Sequence, residues 1–371
     1  MSTFVRSLDP SGSISSQVLS LGFGPFFAAQ HELLGRPELV PARIAGESHG
    51  CYRLLGCRAA LGEPSGRLRR ELGSLTRPSV SDWVAVADGE PGGRAVVHHL
   101  FDRRTALVRR AAGRSGARQV VAANVDAFLI VTAAHRDLNL RRLERYLAAV
   151  LDGGAEPVIV LNKIDLVGED EVAAMVDQIG RVGPGATVMA VSAGTGAGLA
   201  ALGDHLGPGR TVGLVGSSGV GKSSLVNRLL GHEVLATAPI DGDGRGRHTT
   251  TRRELVPLAS GGVLVDTPGM RELGLVEDDG GLDASFADVA EAAGSCRFRD
   301  CAHQGEPGCA VEGAAASGEL DPARLASYRK LVREVAASER RSDPRARQEE
   351  RRRGRAIQTS RRARAKLEPK G

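Results

Sequence analysis

A chain of 371 residues, 42% hydrophobic and 25% charged, is long enough for two or three domains, each with its own buried core. No apolar run approaches the roughly 18 residues that span a bilayer, which excludes a membrane-spanning protein. The formal charge of +5 conceals an asymmetry, since residues 340–371 carry thirteen Arg and Lys against four Asp and Glu, leaving the remainder slightly acidic. Only the tail therefore suits a polyanion such as RNA, the plainer reading being a solvated tail that aids solubility. The N-terminal residues lack the basic start, continuous apolar core and small-residue cleavage site of an export signal, so a cytoplasmic location is expected. Five cysteines, an odd number, argue against a disulfide framework.

Residues 1–38 read as an N-terminal arm in which Phe26, Phe27, Leu33 and Leu34 form one short amphipathic helix. From 39 to 112, short alternating runs such as Cys51-Tyr52-Arg53-Leu54 and Trp83-Val84-Ala85-Val86, separated by Gly, Pro and Asp, predict a small antiparallel β barrel or sandwich. Its Cys51 and Cys57 read as ordinary buried thiols.

The texture changes over 113–278 to apolar strands alternating with helical patterns: a strand at 127–131, a helix at 140–151, a strand at 158–161, a helix at 169–181 and a strand at 188–191. This is the βαβ signature of a mostly parallel sheet covered on both faces. Asn162-Lys163-Ile164-Asp165 ends the second of these strands and Ser192-Ala193 the third. A carboxylate at Asp165 accepts from both the N1–H and the exocyclic amine of guanine, donors that adenine does not present together. The tetrapeptide alone is also an ordinary Asx turn. Ser192-Ala193 and a glycine-rich loop further along the chain decide between the two.

After a strand at 212–215 comes Gly216-Ser217-Ser218-Gly219-Val220-Gly221-Lys222-Ser223, then Ser224 and a helix, the setting that the phosphate-binding loop G-x-x-x-x-G-K-[ST] requires. Successive backbone N–H groups and the helix N-terminus face phosphate oxygens, Lys222 holds the β and γ phosphates, and Ser223 ligates Mg²⁺. Asp266-Thr267-Pro268-Gly269 follows another strand; Asp266 is expected to hold Mg²⁺ through water, and the Gly269 N–H to sense the γ phosphate. Between them, the polar and glycine-rich stretch through His248, Thr249 and Thr250 reads as a switch, the plainer alternative being a flexible surface loop. Met270 stands where a water-orienting glutamine usually follows, so another group must orient the attacking water, and His248 is the nearest polar candidate.

Residues 279–338 contain Cys296, Cys301, His303 and Cys309, three thiolates and an imidazole with the spacing of a closed structural zinc site, one ion per chain. A helix over 322–337 follows, and 339–371 form the basic tail, read as disordered.

The motif order, N-K-x-D and S-A before G-x-x-x-x-G-K-S and D-x-P-G, resembles the circularly permuted GTPases. With its flanking barrel and zinc segment, the chain resembles the ribosome small-subunit-dependent GTPase family over nearly all of residues 40–335. Permutation is physically reasonable because these loops share the carboxyl edge of one sheet, whatever order the chain visits them. The resemblance implies an α/β P-loop GTPase domain, an N-terminal oligonucleotide-binding (OB-like) barrel and a C-terminal zinc-binding helical module. It also implies Mg²⁺ ligation by one of Thr249 and Thr250, a catalytic histidine in the switch, and hydrolysis of GTP to GDP in late assembly of the small (30S) subunit. The partners expected are that subunit, its rRNA and GTP/GDP, with a monomeric chain and no membrane. The barrel's Arg67, Arg69, Arg70, Arg103, Arg104, Arg109 and Arg110 are expected to meet phosphates, with only Tyr52, Trp83 and Phe101 for base stacking; the barrel as mere scaffold is the alternative. Competing readings of the whole chain are a P-loop ATPase or kinase-like regulator, and an RNA-binding module with a vestigial nucleotide site.

Overall fold

A computed structural model describes residues 15–48, 50–73, 75–110, 118–135, 137–183, 185–231, 254–266 and 281–342. The arm holds two helices where one was expected, α1 (Ser16–Ser20) and α2 (Pro25–Leu33). The Ser15 hydroxyl caps the first by accepting from Val18 N–H, and Pro25 opens the second, where its missing N–H costs nothing. Phe23, between the helices, and Phe27 are buried, whereas Leu33 is 86% exposed. The reason is aromatic packing: Phe23 lies edge-on to Trp83 with ring centroids 4.8 Å apart, and to Phe101 at 6.0 Å.

Strands β1 (Val40–Ser48), β2 (Cys51–Leu55) and β3 (Leu61–Pro64), helix α3 (Gly66–Glu71), and strands β4 (Trp83–Ala87) and β5 (Arg94–Leu100) form a closed barrel in the order β1-β2-β3-β5-β4. Strand β1 pairs antiparallel with both β2 and β4, and β3 and β5 run parallel. Period-two alternation explains the closure: Ala95 and Val97 of β5 point inward beside Ile44, Leu54, Val84 and Val86, while Val96 between them is exposed. This is the OB-like barrel expected. The three aromatics proposed for base stacking, however, are all buried, Tyr52 at 2%, Trp83 at 0% and Phe101 at 1% exposure, and none offers a free face to a nucleobase. Arg103 is likewise turned inward, paired through both nitrogens with buried Asp82 at 2.6 and 2.8 Å and donating to the Arg77 carbonyl. Burial raises the Asp82 pKa, and the Arg103 guanidinium opposes that rise.

Strands β6 (Ala106–Arg110) and β7 (Arg118–Ala123) form an antiparallel hairpin that straddles residue 112 and leads into the second sheet. Arg43 of β1 joins arm, barrel and hairpin: its buried guanidinium donates to the carbonyls of Leu21, Ser81 and Asn124 and to the Ser81 hydroxyl, and lies 5.3 Å from the Trp83 ring centre. Burial lowers its pKa, and four neutral acceptors in place of water keep the charge tolerable.

The second sheet is built from β8 (Ala127–Ala133), helix α4 (Leu140–Asp152), β9 (Glu156–Asn162), helix α5 (Glu169–Val182), β10 (Thr187–Ala190), β11 (Thr211–Val215), helix α6 (Lys222–Leu230), β12 (Glu254–Pro257) and β13 (Val263–Asp266). Its order is β10-β9-β8-β11-β13-β12, parallel except for the antiparallel edge strand β12. Every residue of β8 is buried: Phe128 and Ile130 join a core with α4 and α5, and Leu129 and Val131 join the opposite core with Leu225 and Val226 of α6. The chain leaves β8 toward β10, then returns beside β8 as β11 and proceeds the other way. The reversal between β8 and β11 is a topological switch point, where open α/β sheets place ligands at the carboxyl ends of their strands.

The last described segment carries α7 (Gly281–Ser285), α8 (Ala287–Ala293), α9 (Ala310–Ser317) and α10 (Pro322–Ser342). It docks on α4 through Arg324, 5% exposed, which bonds Glu144 at 3.2 Å, Asp288 at 2.5 and 2.8 Å and the carbonyls of Val182 and Ser285, and stacks 4.5 Å from the Phe286 ring centre. Arg145 adds a two-pronged pair with Glu334 at 2.6 and 3.0 Å.

Candidate nucleotide site and metal centre

The loop after β11 turns where only glycine fits. Gly216 has φ +144°, and a Cβ there would strike the Val131 carbonyl; Gly221 has φ +94°, and a Cβ would strike the Asn162 amide. The Lys222 ammonium donates to the carbonyls of Gly216, at 2.7 Å, and Ser217, which fixes it across the mouth of the loop before any phosphate arrives. Ser223 and Ser224 lie in the first turn of α6, which points its N-terminus the same way.

One loop meets this one directly, and a second joins it through Asn162. Asn162, 1% exposed, donates from Nδ2 to the Val220 carbonyl at 2.8 Å and accepts at Oδ1 from Ala193 N–H at 3.0 Å, tying the phosphate loop to the Ser192-Ala193 turn. Lys163, in the left-handed region at φ +64°, donates to the Gly219 carbonyl at 2.6 Å. That turn brings Asp165 round so that its Oδ1 accepts from the Ser192 hydroxyl at 2.5 Å, while Thr195 N–H donates to the same hydroxyl at 3.0 Å. Fifty-odd residues of chain separate Asp165 from Lys222, yet both stand on the carboxyl edge of one sheet. Strand β13 runs beside β11, with Gly213 opposite Val265, so Asp266 ends on that edge as well. His248, Thr249, Thr250, Gly269 and Met270 lie outside the described residues.

Sequence reasoning missed three residues behind the loop. Helix α4, capped by the Asn139 side chain accepting from Arg142 N–H at 3.0 Å, sends Arg142 to the Ser217 hydroxyl and to Asp137 at 3.1 Å. One turn on, burial raises the pKa of the Tyr146 phenol, and the Ser217 side chain opposes that rise. Burial pushes the Asp137 carboxyl up, opposed by Arg142 and by the charges of Lys222 and Lys163. No local motif marks these residues, because their role depends on where α4 packs.

At the far end of the chain, Cys296, Cys301, His303 and Cys309 place their ligand atoms within 4.8 Å of one another. His303 Nδ1 stands 3.6 Å from Cys296 Sγ and 3.5 Å from Cys309 Sγ, and the two sulfurs are 4.0 Å apart. A tetrahedron with metal–sulfur bonds of about 2.3 Å and metal–nitrogen bonds of about 2.0–2.1 Å has edges of about 3.5–3.8 Å, so the cluster fits a closed four-ligand metal site. His303 and Cys309 are buried, the His303 carbonyl accepts from Arg329, and Cys309 caps α9 by accepting from Glu312 N–H at 3.5 Å. His303 is thus a buried member of the cluster.

The Asn162–Asp165 turn, the glycine-rich loop 216–223 and the end of β13 lie on one sheet edge, with the turn first in sequence, which is the arrangement of a circularly permuted P-loop GTPase. Comparison with known proteins gives the particular kind: the chain belongs to the RsgA GTPase family, whose profile matches residues 100–276. It is 45% identical over 362 residues to the small ribosomal subunit biogenesis GTPase RsgA of Opitutus terrae, covering 94% of this chain and 98% of that one. The protein of the same name from Streptomyces coelicolor is 46% identical over 271 residues, 72% of this chain and 73% of that one. Among solved structures, YjeQ from Thermotoga maritima matches with a TM-score of 0.59 at 25% identity, covering 80% of this chain and 98% of that one. YloQ, described as a circularly permuted GTPase, matches with a TM-score of 0.58 at 25% identity, over 81% and 96%. The chain is accordingly a GTP-hydrolysing enzyme. Among the described residues no helix is long and apolar enough to cross a membrane.

Proposed function

We propose that this GTPase acts in the cytoplasm, as a monomer, in late assembly of the small ribosomal subunit, binding its rRNA and hydrolysing GTP faster when bound to it. The observation that carries the nucleotide part is the meeting of Asp165, Ser192 and Lys222 on one sheet edge. The ribosomal part is supported by the names of the relatives. In this reading Asp165 selects guanine, Asn162 and Lys163 brace the base-binding turn, and Ser192-Ala193 closes over the guanine oxygen. The backbone of 216–224 and Lys222 bind the phosphates. Ser223, Asp266 and one of Thr249 and Thr250 hold Mg²⁺, which when bound offsets negative charge on the phosphates; the Gly269 N–H senses the γ phosphate. The exposed Arg69 and Arg70 of α3 and the basic tail supply RNA phosphate contacts, and with Tyr52, Trp83 and Phe101 buried, recognition goes through backbone and shape.

Turnover measured with and without purified 30S subunits tests the reading, with a rise of at least about tenfold expected, since a partner that completes a GTPase site commonly gives more. No rise would leave the enzyme a GTPase without this partner. His248→Ala is expected to lower the stimulated kcat by about 10²–10⁴-fold, with nucleotide affinity nearly unchanged, because a residue that positions water acts in the transition state. A wild-type rate on the subunit would assign the water to another group.

The metal of Cys296, Cys301, His303 and Cys309 is zinc in this reading, one ion per chain. Chelation is expected to unfold the segment around 296–309, since metal-binding energy there is local folding energy, while GDP affinity stays within about twofold. Metal analysis finding no zinc, together with a Cys301→Ala variant as stable as the wild type, would remove the site.

A further inference from the structure

We propose that Arg142 of helix α4 is a positioning residue for GTP binding, acting through the Ser217 hydroxyl to hold the phosphate loop in its binding shape from behind. The inference rests on residues 216–223 being the phosphate loop, and goes beyond the contacts that loop makes with nucleotide.

Three observations carry it. The Ser217 hydroxyl accepts from the Arg142 guanidinium, so a residue of α4 reaches a side-chain atom of the loop 75 positions further along the chain. The Ser217 carbonyl is also one of the two that fix the Lys222 ammonium. Whatever holds Ser217 therefore holds the lysine that meets the phosphates. Finally, α4 is itself immobile: Tyr146 is 2% exposed, Asp137 orients Arg142 at 3.1 Å, and Glu144 and Arg145 on the same helix are locked to α10 through Arg324, Ser327 and Glu334. A loop whose backbone N–H groups must all face one anion gains most from such bracing, because each misaligned donor weakens binding.

The test is a double-mutant cycle on the full chain, reading GDP affinity, the KM and kcat of GTP turnover, and thermal stability for Ser217→Ala, Arg142→Ala and Arg142→Lys. Arg142→Ala and Ser217→Ala are each expected to weaken GDP by about tenfold and to raise KM more than they lower kcat. Arg142→Lys should restore part of the affinity. Combining Arg142→Ala with Ser217→Ala should cost no more than either alone, since both break one contact. Additive losses, or a lower melting temperature with GDP affinity intact, would overturn the proposal. Lys222→Ala is the control: if it too leaves GDP affinity intact, the phosphate-loop reading falls, whereas its failure to bind beside a normal Arg142→Ala condemns only the role of α4.

Discussion

Replacing Asp165 with Asn is expected to weaken GDP by about 10²–10⁴-fold and to turn the site toward xanthine nucleotides. The carboxylate offers guanine two charge-assisted acceptor contacts, each worth about 1.5–3 kcal/mol, and an amide presents one acceptor and one donor in their place. Asp165 Oδ1 accepts from the Ser192 hydroxyl at 2.5 Å, so in the variant the amide oxygen is expected to keep that position and leave the NH₂ group for the base. There it opposes the amino group of guanine, whereas the carbonyl that xanthine carries at the same position accepts from it. Titration of GDP and XDP against both proteins reads the outcome. Equal GDP affinity in the two would falsify the assignment of Asp165 to the guanine edge, and loss of both nucleotides without an XDP gain would point to a collapsed turn.

The second large effect concerns stability. Arg324→Ala is expected to destabilise docking of the metal-bearing segment by about 3–5 kcal/mol, the usual result of removing one partner of a buried ion pair. Two carboxylates are left behind: Asp288, partly exposed, loses both its bonds to Arg324, and Glu144, with no exposure at all, retains only Arg141, at 2.5 Å, and the Ser327 hydroxyl, also at 2.5 Å. Two further acceptors, the carbonyls of Val182 and Ser285, lose their donor. Attraction between Arg324 and Glu144 is not itself what makes the pair valuable, since much of it offsets desolvation. Substituting Glu144→Gln together with Arg324→Met should therefore recover part of the loss by removing the stranded charge. Thermal unfolding followed by both far-ultraviolet circular dichroism and metal release checks this: the single variant should release metal at the lower transition. A double variant no more stable than Arg324→Ala would show that the carbonyl bonds, and not the ion pair, dominate.

These two sites differ in how far the sequence reveals them. The Asn162–Asp165 turn, the loop 216–223 and the Cys/His cluster that could hold a metal stand out in the sequence because their patterns are local: glycines at fixed offsets, a lysine and serine at a helix start, thiols within fourteen residues. Alternation and helical spacing likewise gave the barrel strands and helices α4, α5, α6 and α10, since side-chain periodicity is a property of each element alone. Even the permuted order could be accepted from the chain, because a parallel sheet gathers its loops on one edge in any order. Which side chains turn inward was not legible. Tyr52, Trp83, Phe101 and Arg103 are as suited to an RNA-binding surface as to a core, and only the closing of the barrel, with Phe23 and Phe27 packed on it, decided that the three aromatics are buried and that Arg103 turns to Asp82. The same holds for Arg324 and Glu144, 180 residues apart, and for Arg142 and Ser217, 75 apart. Local preference acts over a few residues, whereas these pairs exist only after helices from distant parts of the chain have packed. The sequence by itself thus determined which local motifs the protein carries, and the tertiary structure alone decided which charged and aromatic groups are buried and which distant groups meet, because such contacts form only when the elements pack.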